Sequence, residues 1–229
     1  MRKETRQVDV GDVKVGGGAP IVIQSMTNTD TKDVASTLEQ IEALAAAGCE
    51  IVRVAVVDQK ASETLATLVK HSSVPLVADI HFDHRLALTA LNGGISKLRL
   101  NPGNIGSEAK VREVVKAAQE RSVPIRIGVN SGSIAGSILE KYGRTATGMV
   151  ESALEHIAIF EKLNFHDIVV SLKATDIDLT VQAYEELSSR VNYPLHLGIT
   201  ESGTKWFGTI KSAAGLGALL SRGLGDTLR

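Results

Sequence analysis

Seven short apolar segments recur along this chain, and a stretch of different periodicity follows each one. They are IVIQSM from Ile21, IVRVAV from Ile51, LVADIH from Leu76, SKLRLN from Ser96, IRIGVN from Ile125, DIVVSLK from Asp167 and LHLGIT from Leu195. Each is brief, rich in branched side chains and bounded by turn residues, which is the pattern of a strand. Between them DVASTLEQIEALAAAG, SEAKVREVVKAAQERS and MVESALEHIAIFEKLN repeat apolar residues at three and four, the spacing of a helix that buries one face. Strand and helix in steady alternation predict parallel strands joined by crossover helices.

Such units close either as an open doubly wound sheet or as a barrel. Polar side chains gather toward the C-terminal ends of strands drawn from all parts of the chain, the end at which barrel active sites are built. The expectation is therefore an α/β fold, a TIM-type (β/α)8 barrel, occupying residues 1–229 as one substrate-binding domain. GLGDTLR at the end reads as the turn and first residues of an eighth strand, cut at Arg229, which would leave the first and seventh strands with unpaired edges. VDVGDVKVGG at the start reads as a hairpin turning at Gly11 and plugging the barrel bottom.

Side chains two apart on a strand share a face. By that parity Arg53, Arg99, Arg126 and Lys173 point to the barrel interior, with Asn101, Asn130 and Ser171 beside the last three. A single arginine in a strand is ordinarily a solvated edge or the partner of a nearby carboxylate. Four at matching parity are different: about 7 Å apart at an effective dielectric of ~20, each pair repels by roughly 2 kcal/mol. An anion of at least two charges balances that. Arginine suits bidentate contact with phosphate oxygens and lysine acts as a point charge. The Gly-rich NPGNIGS and NSGS, near helix starts, offer backbone N–H groups to the same phosphate.

Acid and base candidates sit at the same end. Asp79 and His81 share a face in ADIHFD, His196 lies in LHLGITES, and Glu201 follows Thr200 at the mouth of the seventh strand, where a carboxyl group could deliver a proton to a leaving oxygen. His81 and His84 in HFDH are three apart, but Asp83 and His84 read as the start of a helix, so no metal site is assigned to them. No Walker loop and no GxGxxG follows any strand.

Composition narrows the partners. A formal net charge of -1 disfavours general nucleic-acid binding, so the basic residues matter for where they sit. One cysteine, Cys49, builds neither a disulfide framework nor a thiolate cage and reads as small apolar filler. No apolar run reaches the ~20 residues of a membrane span, and a cytoplasmic protein is expected.

QSMTNTDT, VRVAV, ADIHFD, KLRLNPGNIG, RIGVNSGS, LEKYG, VVSLKA and PLHLGITESG, in this order, closely resemble bacterial 4-hydroxy-3-methylbut-2-enyl diphosphate synthases of the non-mevalonate isoprenoid (terpenoid) pathway. The resemblance runs from Thr5 to Arg229. It implies an oxidoreductase that reductively opens 2-C-methyl-D-erythritol 2,4-cyclodiphosphate with electrons from flavodoxin or ferredoxin. It further implies that Arg53, Arg99, Arg126 and Lys173 clamp the diphosphate, assisted by Asn101, Asn130 and Ser171, and that Glu201 protonates the departing hydroxyl. Asp79, His81 and His196 match pocket positions. Enzymes of this family are homodimers that add a domain with a 4Fe-4S cluster held by three cysteines and a glutamate; no such cysteines occur in these 229 residues. The expectation is a chain that binds substrate without turning it over. Two other readings remain: a pterin-binding barrel of the dihydropteroate synthase type, and a non-catalytic fragment.

Overall fold

A computed structural model describes residues 1–81, 83–101 and 107–229. Two short strands, β1 (Val8–Val10) and β2 (Val13–Val15), form an antiparallel hairpin whose two-residue turn begins with Gly11 at φ 60°. Then come β3 (Val22–Met26), β4 (Ile51–Val56), β5 (Leu76–Ile80), β6 (Lys97–Leu100), β7 (Ile125–Asn130), β8 (Ile168–Lys173), β9 (His196–Leu197) and β10 (Thr227–Leu228). All eight pair in parallel, in the order β8-β7-β6-β5-β4-β3-β10-β9, and a Val170–Leu195 bridge returns β9 to β8. The ring is the expected barrel.

Helices follow the strands as the periodicity predicts: α1 (Val34–Ala46), α2 (Gln59–His71), α3 (His84–Asn92), α4 (Glu108–Glu120), α5 (Gly136–Tyr142), α6 (Ala146–Lys162), α7 (Ile177–Arg190) and α8 (Lys205–Ser221). Asp33, Asp58, Asp83, Thr145 and Asp176 each accept a backbone N–H from the first turn of the helix they precede. A side-chain acceptor there satisfies a donor the helix leaves free and fixes where the helix begins, at about 1 kcal/mol each.

The main core lies between barrel and helices rather than inside the barrel. Val52, Val54, Leu98, Ile127 and Val170, the strand residues of outward parity, are buried against Leu65, Leu86, Val114 and Phe160 of the helices. Residues of inward parity form three layers. At the bottom Val22, Ile51 and Val77 pack on Val10 and Val15 of the hairpin, which plugs that end. Gln24, Lys97, His196 and Thr227 are buried in the middle, and the cationic residues occupy the top.

The expectation of unpaired edges is corrected. Thr227 of β10 pairs with Val22 of β3 on one side and with His196 of β9 on the other, so two residues fill the eighth position. Asp226 fastens them: its backbone exchanges hydrogen bonds with Val22 and Leu195, one carboxylate oxygen accepts from Leu195 N–H, and the other accepts from the Thr5 hydroxyl. β9 also stops earlier than LHLGIT suggests, just before Gly198, where Lys173 approaches the backbone closely.

Candidate functional site

Strand parity delivers the predicted side chains to one cleft of about 140 Å³ at the C-terminal ends of the strands. Arg53, Arg99, Arg126 and Lys173 all line it, with Asn130 and Ser171. They come from β4, β6, β7 and β8, whose registers set Arg99 beside Arg126, and Asn130 beside Lys173. A larger hollow of about 610 Å³ opens near Thr5, Arg190 and Tyr193. It adjoins the start of β9 and receives none of these four cations, which all line the smaller cleft.

Asp79 organises the cleft. Its Oδ1 accepts from Arg99 Nη1 at 3.0 Å, while Oδ2 lies 3.6 Å from Arg53 Nε and 3.4 Å from His81 Nε2. Burial alone would raise the Asp79 carboxyl, but the His81 hydrogen bond with Arg53 and Arg99 holds it well below the usual carboxylate range. Arg53 also donates to Met26 Sδ. Burial pushes its pKa down to about 10, against the upward pull of Asp79, with Arg229 and Arg99 adding to the fall. Burial first, and then Arg126, Arg229, Arg53 and Arg99, push the Lys173 amine well below its usual value. Arg126 is buried with Nε and Nη1 lacking a protein acceptor, and Arg99 Nε is in the same condition. Buried donors of this kind are costly unless a ligand or water accepts from them.

Two glycines make room. A Cβ on Gly128 would stand 2.7 Å from Arg99 Nε, and one on Gly198 would stand 2.6 Å from Lys173 Nζ. Glycine within β7 and just past the end of β9 lets long cationic side chains lie across the neighbouring backbone.

The other predicted residues are placed as follows. Asn101 is buried just beyond β6, and His81 lines the cleft at its exposed rim. His196 lies deeper, fully buried, with Nδ1 3.4 Å from the Thr227 hydroxyl. Glu201 is exposed, in the left-handed backbone region at φ 51°, next to Thr200 at the cleft wall. His84 turns away from His81 toward Asp83 and Glu113, as a helix start requires. Residues 102–106 of NPGNIGS lie outside the described residues. Among the described residues no group of three or more His, Cys, Asp or Glu side chains is placed to hold a metal ion.

Sequence reading missed Arg229 and Lys97. Arg229 lines the cleft, carried inward by β10 at the parity of Thr227. Lys97 is wholly buried one step below Arg99. The same alternation that singled out Arg99 and Asn101 also selects Lys97. Arg229 has only the two residues of β10 to announce its parity.

Together these features define a class: a β/α barrel whose mouth at the C-terminal ends of the strands gathers five lysine and arginine side chains around one carboxylate. The family follows from comparison with known proteins. The chain belongs to the GcpE TIM-barrel domain family, whose profile matches residues 5–229. It is 59% identical over its whole length to a Bacillus cereus protein named 4-hydroxy-3-methylbut-2-en-1-yl diphosphate synthase (flavodoxin), and 60% identical to the protein of that name from Bacillus cytotoxicus. The chain spans 62% of the length of each. Among solved structures, dihydropteroate synthase from Xanthomonas albilineans in complex with 7,8-dihydropteroate superposes with a TM-score of 0.69 at 13% identity, over 97% of this chain and 91% of that one. A truncated 3-deoxy-D-arabino-heptulosonate 7-phosphate synthase from Thermotoga maritima gives 0.70 at 14%, over 98% and 79%. These two likenesses concern the fold alone.

Proposed function

We propose that this chain is the substrate-binding barrel domain of a cytoplasmic oxidoreductase of isoprenoid biosynthesis, one that reductively opens 2-C-methyl-D-erythritol 2,4-cyclodiphosphate to 4-hydroxy-3-methylbut-2-enyl diphosphate. What carries the reading is the identity near 60%, unbroken over the chain, to proteins named for that product. The cleft supplies the matching chemistry. Arg53, Arg99, Arg126 and Lys173 clamp the diphosphate, joined by Arg229, while Asn130, Ser171 and Asn101 give neutral hydrogen bonds. Asp79 and His81 set the orientation of Arg53 and Arg99, His196 backs the clamp from below, and Glu201 protonates the departing hydroxyl from the rim.

The family's 4Fe-4S cluster does not fit the residues present. One thiol, Cys49, cannot supply a cluster's ligands, and burial raises its pKa, which disfavours the thiolate. The electron donor, flavodoxin or ferredoxin, and a homodimer in which a second subunit completes the site belong to the longer protein. No described helix is long and apolar enough to cross a membrane, in keeping with a cytoplasmic enzyme.

Calorimetric titration of this chain with the cyclic diphosphate, in competition with a pterin diphosphate, tests the reading. Preference for the cyclic diphosphate supports it. Preference for the pterin would transfer the chain to the dihydropteroate synthase type, which at 13% identity now rests on fold alone.

A further inference from the structure

Beneath the clamp lies a basic residue that a ligand at the mouth cannot touch. Lys97 precedes Arg99 by two residues on β6, is wholly buried, and has Gln24 Oε1 as a hydrogen-bond acceptor at 3.4 Å. The charged groups around it are Arg99 on its own strand, Arg53 on β4, Asp79 on β5 and Arg126 on β7. Behind these stand Lys173 on β8, His196 on β9 and Arg229 after β10. Asp79 is the one side-chain carboxylate of this interior set among the described residues, and it is already engaged by Arg53, Arg99 and His81.

Six lysine and arginine side chains around one carboxylate cannot all hold their charge cheaply. Arginine keeps its proton in proteins, whereas a desolvated lysine gives it up. Of the two lysines, Lys173 lines the mouth and meets the ligand, and Lys97 does not. We infer that Lys97 is the internal proton acceptor of the barrel: its amine takes a proton from solvent when a di-anion loads the mouth above it, so that anion capture and proton uptake are one coupled event. This rests on the reading of the mouth as a diphosphate clamp.

The electrostatics agree with the geometry. Burial, then Arg126 and Arg53, push the Lys97 amine well below its usual value, which favours the neutral form before a ligand arrives. A unit negative charge about 7 Å away, at an effective dielectric of ~20, raises the proton affinity of an amine roughly fiftyfold. His196 shares the layer, and burial with the surrounding cations pushes it down too. An imidazole starts about four pH units below an amine, which favours Lys97 as the acceptor, and comparison with His196→Gln separates the two.

The test is calorimetric titration of the 229-residue chain with the cyclic diphosphate, and separately with inorganic pyrophosphate, in buffers of contrasting ionisation enthalpy. The native chain should show net proton uptake with the cyclic diphosphate and tighter binding as pH falls. Lys97→Met and Lys97→Gln should each lower the proton count by about one per ligand and flatten the pH dependence by up to tenfold in affinity per pH unit. Comparing proteins on one ligand cancels protons that belong to the ligand itself. Zero uptake by the native chain overturns the inference without any variant. Equal counts in native and variant chains, or a loss confined to His196→Gln, overturns it as well. If neither anion gives an isotherm, the clamp itself falls, an outcome distinct from binding without a Lys97-dependent proton.

Discussion

Gly128 shows how a missing side chain makes room for a cationic one in the cleft. Its Cα faces Arg99, and a methyl group there would press on Nε at 2.7 Å and on Nη2 at 2.9 Å. Both atoms belong to the far end of a flexible side chain, so Gly128→Ala should leave the barrel folded and swing Arg99 out of the clamp. The expected result is an unchanged far-ultraviolet dichroism spectrum with at least tenfold weaker binding of the cyclic diphosphate, on the scale of one charge-assisted hydrogen bond. Arg126→Ala and Lys173→Ala remove the clamp directly, and each should weaken binding by on the order of 2 kcal/mol or more, because phosphate oxygens lose buried partners. Titration calorimetry measures both, and an unaltered affinity would remove that residue from the clamp. At this scale strand parity made Arg53, Arg99, Arg126 and Lys173 legible. The arginine-carboxylate geometry was not, because the salt bridges of Asp79 join three strands and no local pattern encodes which partner it meets.

Among the elements, β10 and α6 carry the clearest energetic consequences. Asp226 ties β10 to β9 and to the N-terminal segment, so Asp226→Ala strands the Leu195 N–H and the Thr5 hydroxyl. A loss of about 1–3 kcal/mol is expected in denaturant unfolding. On α6, His156 is buried with Nδ1 lacking a protein partner, and burial pushes its pKa down to about 4. The unfolded chain therefore binds a proton at higher pH than the folded one. His156 costs nothing above its unfolded pKa near 6.5, and stability is lost as pH falls from there toward 4, by up to about 3 kcal/mol. Unfolding midpoints between neutral and mildly acid pH should follow that slope in the native chain and lose it in His156→Leu. Helix periodicity placed α1, α4 and α6 closely. It could not show that GLGDTLR suffices as a strand, since two residues hold no period and their pairing depends on neighbours far away in sequence.

For the whole molecule, closing the ring is what turns scattered basic residues into a site. The five basic side chains of the cleft come from β4, β6, β7, β8 and the end of β10, and only a closed barrel converges them. In a protein of the relatives' full length, Glu201→Gln should lower turnover by roughly 10²–10⁴-fold with little change in binding, as expected for a proton donor. An intact rate would remove Glu201 from that role. This chain alone is expected to bind the cyclic diphosphate with no product formed, as read by product chromatography under reducing conditions. Alternation of strand and helix determined parallel strands with crossover helices from sequence alone, because period 2 and period 3.6 are local properties of the chain, and polar residues at the strands' C-terminal ends selected the barrel over an open sheet. Parity along each strand determined which side chains face inward. Only the tertiary structure decided that Asp79 pairs with Arg53 and Arg99, that Lys97 lies in a closed layer beneath them, and that Arg229 lines the cleft. Those facts depend on register between strands and on burial, which are set by the whole ring and not by any segment of it.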